Sequence, residues 1–270
     1  MSGLFGLLQV FILSIALVAT VVALMVAFAY PRLQPRLRQV GPARRARLLT
    51  ALAIAPLCIS VMQTGLFFVP GFLGAIWPQM DHCLSHAASS HVHLCVVHPP
   101  HSAGALLGWL VVFAVLVGVA RPLVKDLLRT WRSAQLVRQL VHTSEPREDG
   151  LRVVPSQLPI AAATTIPAEV LVSSALVDTL PPGLLKAVVA HERAHLRRRD
   201  PWRLVAATVL SAGHFPGTRR MLLADLELAC EQASDEEAAR TVGDRVTVAQ
   251  ALVMVARMAS ESATPATYRS

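Results

Sequence analysis

From Leu4 to Tyr30 the chain runs for 27 residues without a charged side chain. An α-helix rises about 1.5 Å per residue, so roughly 20 apolar residues cross the hydrocarbon core of a bilayer. The run is too long for the apolar part of a cleaved export signal. It has no basic residues ahead of it and no evident small-residue cleavage site, so it reads as a membrane span. Two further runs follow, Leu48–Trp77 and Ala103–Ala120. The second run contains Pro56 and Pro70 and several glycines, which predict a kinked helix of a kind that spanning segments tolerate. The third has about the minimum length to span. The whole chain is 54% hydrophobic with mean hydropathy +0.51, above the roughly 45–50% apolar content of soluble domains. The excess lies in the first 120 residues.

Charge gives the orientation. Arg32, Arg36, Arg38, Arg44, Arg45 and Arg47 lie between the first two spans, with no acidic residue among them. Arg121, Lys125, Arg129, Arg132 and Arg138 follow the third span, and residues 78–102 contain no Lys or Arg. Cytoplasmic loops carry the positive excess, so the N-terminus and residues 78–102 are expected outside and everything after Ala120 in the cytoplasm of a multi-pass plasma-membrane protein. The net charge of +8 and pI of 10.3 do not point to nucleic acid. The basic residues flank apolar spans and suit a membrane surface, and no basic patch is interleaved with aromatics.

The outer loop carries His82, His86, His91, His93, His98 and His101, with Cys83 and Cys95. Imidazoles bind transition metals and titrate near neutral pH, so a metal or pH sensor is one reading. The plainer one, which we prefer, is a polar exterior loop that a Cys83–Cys95 disulfide could staple in an oxidising environment. Cys58 and Cys230 sit in apolar or helical patterns, and no CxxC pair suggests a cysteine zinc site.

The division read from the sequence is a membrane domain over 1–121, with spans at about 4–30, 48–77 and 103–120, then a cytoplasmic domain over 122–260 and a disordered tail over 261–270. Arg121 to about Leu140 suits a helix leaving the membrane, and Glu145–Gly150 a charged turn. Leu151–Val154 and Glu169–Ser173 read as short strands, separated by a loop holding Pro155, Pro159 and Pro167. Leu204–Phe215 is apolar but too short to span, so it reads as a core or interfacial helix.

Pro181 and Pro182 open a clear helical pattern through Leu184, Leu185, Val188 and Val189. That helix carries His191-Glu192-Arg193-Ala194-His195. Residues four apart share a helix face, so both imidazoles can reach one zinc ion. Glu192 lies beside that face, placed to act as general base toward a water that zinc acidifies to near neutral pKa. HExxH fixes only three positions, and a solvated helix with two histidines is the alternative. The apolar turn Ala187-Val188-Val189-Ala190 just before it favours a buried active-site helix.

A third ligand should come from another helix. No histidine lies six residues after His195, so the metzincin extension is absent. Downstream, Glu227, Glu231 and Asp235 share one face at spacing four. Three carboxylates in a row repel each other, and a nearby cation relieves that cost. The alternative is a solvated acidic face paired with Arg219 or Arg240.

The stretch Leu171-Val172-Ser173-Ser174 through Asp178, with His191-Glu192-Arg193-Ala194-His195-Leu196-Arg197-Arg198-Arg199-Asp200, resembles the peptidase domain of the BlaR/MecR-type sensor-transducers and their shorter actinobacterial relatives. The likeness is closest from about Val170 to Arg240, and the three preceding spans fit the same layout. In that group and in the related Ste/HtpX-type membrane proteases, the third zinc ligand lies in a Glu-x-x-small-Asp motif. Glu231-Gln232-Ala233-Ser234-Asp235 fits it; Glu227 fits less well, because Glu231 stands where the motif has Asp. The resemblance thus implies a mostly helical α+β protein, three N-terminal transmembrane helices followed by a zincin-like (gluzincin) cytoplasmic peptidase domain. Its Zn2+ would be held by His191, His195 and Glu231, with Glu227 as reserve and Glu192 catalytic. The implied substrate is a cytoplasmic protein, a transcriptional repressor, with membrane lipids as the other partner and no direct nucleic-acid contact.

The sequence also departs from the sensor-transducers, which have a fourth span and a penicillin-binding sensor domain after the peptidase. Neither is expected here, and no Ser-x-x-Lys pattern occurs. The strand around Leu171 is expected to offer an edge to an extended peptide, and His214 is a possible transition-state helper. Two other functions fit parts of the sequence. Membrane-protein quality control of the HtpX type calls for spans after the HExxH helix, and none of adequate length follows. A non-catalytic sensor with structural zinc would not need Glu192. The topology has a direct test: a cysteine introduced at Ser89 is expected to react with an impermeant reagent on intact cells, and labelling only after permeabilisation reverses the orientation.

Overall fold

The structure is a computed structural model of the 270-residue chain and describes residues 2–77, 79, 105–147, 150–164 and 167–263. The histidine-rich loop, with the Cys83–Cys95 pairing, and residues 264–270 of the tail lie outside the described residues. Three long helices come first: α1, Ser2–Arg38; α2, Pro42–Ile76; and α3, Ala105–Thr143. All three are long and apolar enough to cross a membrane. Each runs past its apolar core. Helix α1 continues through Pro31 and Pro35, and α3 continues through Pro122, so the exit helix expected after Ala120 is the same helix as the third span.

The chain divides into two compact units, Met1–Arg36 with Ala51–Leu127 and Ala207–Leu222, and Leu37–Thr50 with Leu128–Ala206 and Leu223–Ser270. In the first unit, Ala23, Val26, Tyr30, Ala53 and Val112 are buried, and Phe11 meets Phe68 edge to face with ring centroids 5.3 Å apart. Large apolar side chains such as Leu17, Met25, Phe28, Phe72, Leu106 and Phe113 face outward, which suits lipid rather than water. Arg219 bonds the buried carboxylate of Asp126 and also donates to Ser211 Oγ at 2.9 Å and to the Thr208 carbonyl at 2.7 Å. It is therefore not a partner of the downstream acidic row.

The second unit holds a four-stranded sheet of β1 (Glu145–Pro146), β2 (Leu151–Val154), β3 (Ala161–Ala163) and β4 (Val170–Ser173), in the order β1-β2-β4-β3. Strands β2 and β4 are parallel, and β1 and β3 are antiparallel to their neighbours. Gly150, at φ 75°, supplies the left-handed position of the β1–β2 turn. Helix α4 (Ser174–Thr179) grows directly from β4, with Ser173 as its N-cap. Then come α5 (Pro182–Arg198), α6 (Asp200–Leu210), a 3-10 turn (Ser211–Gly213), α7 (Pro216–Val242) and α8 (Arg245–Ala263). The core of this unit joins Leu151, Val170 and Val172 of the sheet to Leu176, the Ala187–Ala190 turn of α5, Ala238 of α7, and Val248 and Ala251 of α8.

This arrangement corrects the expected edge strand. β4, the strand of Leu171, is paired on both sides, and the free edge beside it is β3. β3 is three alanines, which lack the β-branched and aromatic side chains that announce a strand. Main-chain bonds of β3 toward β4 involve alternate residues: Ser173 N–H donates to the Ile160 carbonyl at 2.8 Å and Thr164 N–H to the Glu169 carbonyl at 2.9 Å. By that alternation Ala161 and Ala163 turn their backbone groups outward. The sheet centre is the part most sensitive to a cavity. Leu171 is fully buried, so Leu171→Ala is expected to cost about 2–5 kcal/mol, read as a lowered unfolding midpoint of the purified chain. An unchanged midpoint overturns the central position of β4.

Candidate metal centre

Helix α5 carries its histidines on the face turned from solvent. Ala187, Val188, Val189 and Ala190 bury the preceding turn, and His191 is itself only 6% exposed. The ring nitrogens converge: His191 Nε2 and His195 Nε2 are 3.1 Å apart. From α7, Glu231 brings Oε2 to 3.3 Å from His191 Nε2 and Oε1 to 3.6 Å from His195 Nε2. Four-coordinate zinc takes bonds of about 2.0–2.1 Å, which separate its ligand atoms by about 3.3–3.4 Å in a tetrahedron. The three observed distances bracket that value, so the residues fit a small divalent cation. His191, His195 and Glu231 form the one such group among the described residues. Glu227, one turn before Glu231, is exposed and is not part of it. Nor is His214, whose Nε2–H is shared between the carbonyls of Leu52 and Ala53 at 3.0 and 3.1 Å in the first unit.

The other ring nitrogens have carboxylate partners. Asp235, the last acid of the row on α7, lies 2.9 Å from His191 Nδ1, in ion-pair reach but off the line of a hydrogen bond. His195 Nδ1 meets Asp200 Oδ2 at 3.2 Å and Ser234 Oγ at 3.1 Å. Asp200 is fully buried and is gripped by Arg198 Nε at 3.1 Å and by Arg203. A carboxylate on the far nitrogen fixes the tautomer and plane of a metal-binding imidazole. Asp200 and Ser234 had no assigned role in the sequence reading. The available signal was an acid immediately past the end of the HExxH helix.

The electrostatics agree with the geometry. Burial works against charging either ring, yet Asp235 and Glu231 outweigh it at His191, raised to about 10. Asp200 and Glu231 do the same at His195, raised to about 9. Hydrogen bonds from these two rings hold Glu231 far below the usual carboxylate range. Glu192 points off the shared face. Burial pushes its carboxyl up, against the pull of His191 and His195, and the backbone N–H of Ala163 on β3 bonds to it. The site therefore joins three side chains that could hold a cation to a carboxyl with raised proton affinity and to the edge strand β3.

Residues 135–266 match the sequence model of the family described as Peptidase family M48. Nothing among the curated proteins or the solved structures matches the chain. Bound metal tests the triad. His191→Ala or His195→Ala is expected to abolish zinc binding, and Glu231→Ala to weaken it most among Glu227, Glu231 and Asp235. Retention in Glu231→Ala with loss in Glu227→Ala overturns that choice. The neighbouring carboxylates raise the proton affinity of both rings, so protons compete with zinc for the ring nitrogens. Affinity should thus rise as pH climbs toward 9, and calorimetry in buffers of different ionisation enthalpy measures the release.

Proposed function

We propose that this chain, whose residues 135–266 match the peptidase family M48 model after three candidate membrane helices, is a zinc endopeptidase that cleaves a cytoplasmic protein. The observation that carries the proposal is the convergence of His191, His195 and Glu231 beside Glu192. In this reading His191, His195 and Glu231 hold zinc, which supplies Lewis acidity toward the scissile carbonyl and the attacking water. Asp200 and Asp235 keep the two imidazoles oriented. Glu192 takes a proton from the water as its oxygen bonds to the carbonyl carbon, then returns it to the amine nitrogen as the C–N bond breaks. Burial raises its proton affinity, the direction that a general base able to return its proton requires.

The substrate's backbone has a natural docking element in β3. Ala161 and Ala163 face outward, and Ala163 adjoins Glu192. An extended peptide added to this edge brings one of its bonds to the base by main-chain pairing alone. The charge asymmetry of the loops supports a cytoplasmic peptidase domain. The resemblance to the BlaR/MecR-type sensor-transducers supports a transcriptional repressor as substrate.

The test compares wild type with Glu192→Gln in membranes containing equal amounts of each, against candidate cytoplasmic repressors and against the chain itself. Glu192→Gln is expected to retain zinc and lose roughly 10²–10⁴-fold in cleavage rate. Equal rates mean that the chain is not the protease and that the metal centre is structural.

A further inference from the structure

A hollow of about 350 Å³ opens at the end of β3, lined by Thr164, Ala168, Leu196, Arg199, Pro201 and Trp202. We propose that it is a specificity subsite, taking a large apolar side chain of the substrate with an acidic residue next to it, two or three positions N-terminal to the scissile bond. This rests on the peptidase reading above and adds to it the chemistry of the sequence that is cut.

The position follows from the two elements that form the site. Leu196 and Arg199 lie four and seven residues beyond Glu192, or about 6 and 10 Å along the axis of α5. Thr164 directly follows Ala163, whose N–H meets Glu192. An extended peptide advances about 3.4 Å per residue, so a side chain two or three residues from the bond at Glu192 lies over the hollow. β3 runs toward Thr164 and already pairs antiparallel with β4. A peptide pairing antiparallel to its other edge has its N-terminal side at the Thr164 end.

The lining gives the chemistry. Leu196, Ala168, Pro201 and the half-exposed ring of Trp202 form an apolar wall. Arg199 adds a charge. Its neighbours are engaged, Arg197 with Glu237 at 2.6 Å and Arg198 with Asp200 at 3.1 Å, whereas among the described residues Arg199 has no ion pair. Arg199 is also the one non-glycine residue with positive φ among those described, at 56° in the cap between α5 and α6. Glycine is the unstrained choice there. A strained arginine kept at the rim of a cleft beside a candidate active site points to a use for its guanidinium, and an acidic group is its natural complement.

The experiment uses the full zinc-loaded chain in nanodiscs and fluorescein-labelled decapeptide libraries. Their cleavage by wild type and their binding to Glu192→Gln are both measured. Wild type should favour Phe, Leu or Ile over Ala two or three residues before the cut, with Asp or Glu adjacent. Trp202→Ala should reduce the apolar preference at least tenfold. Arg199→Gly, which relieves the backbone, should erase the acidic preference without lowering the unfolding midpoint, and Arg199→Glu should turn it toward Lys and Arg. Unchanged selectivity in these variants overturns the subsite, as does a preference C-terminal to the cut. Equal loss for all peptides in Trp202→Ala also overturns it, and marks that ring as a packing or membrane-surface residue. The binding arm separates the two ideas: selective binding to Glu192→Gln that the Trp202 and Arg199 variants alter, with no cleavage by wild type, supports the subsite and sinks the peptidase reading.

Discussion

Two imidazole nitrogens facing each other at 3.1 Å, with a carboxylate within 3.6 Å of both, make an arrangement that needs positive charge at its centre. Glu231, Asp235 and Asp200 surround the pair, and Glu192 stands beside it. Asp200 is compensated by Arg198 and Arg203, and the other carboxylates raise the proton affinity of the two rings. A divalent cation at that centre would relieve the repulsion along α7. The carboxylate partners of the far ring nitrogens belong to the same concentration of charge, whereas burial is what raises the carboxyl of Glu192.

Holding that concentration in place falls to the packing of the second unit. The apolar turn of α5 meets the sheet and α8, which fixes the depth of His191. Asp200 ties the end of α5 to the start of α6 through Arg198 and Arg203 and reaches back to His195. A buried carboxylate between two guanidiniums is costly to disturb, because either side left alone is an uncompensated charge. Ligand orientation and helix packing thus depend on the same residue.

The segment between the first two candidate spans belongs to this unit as well. Arg45, 8% exposed, bonds Gln232, the neighbour of Glu231, and Arg38 lies 3.9 Å from Asp225 on the same helix. The exposed Arg38 pair is worth little, whereas the buried arginine braces α7 beside Glu231. Basic residues whose number argues for orientation in the membrane therefore also brace the helix that carries Glu231, a role that their count does not reveal.

How much was legible follows from how local each signal is. The spans are continuous apolar runs, and HExxH and the acidic row are spacings within single helices, so periodicity alone exposes them. The family match over residues 135–266 agrees with that part of the reading at the level of a metallopeptidase. β3 was not legible, since Ala161–Ala163 carries no strand signal and becomes a strand only because β4 lies alongside it. The edge was assigned to the Leu171 strand because strand order is a relation between segments, and a hydrophobic run does not state its neighbours. By itself the sequence determined the three spans, the HExxH helix, the helix of the acidic row and which residues could be ligands, because those depend on residues within a turn or two; α4 and α8 were not read from it. Only the tertiary structure decided that Glu231 rather than Glu227 meets the imidazoles, that Asp200 and Ser234 meet His195, and that the free edge lies beside Glu192. Each of those joins side chains from separate elements, and the register between packed elements is set by the shared core.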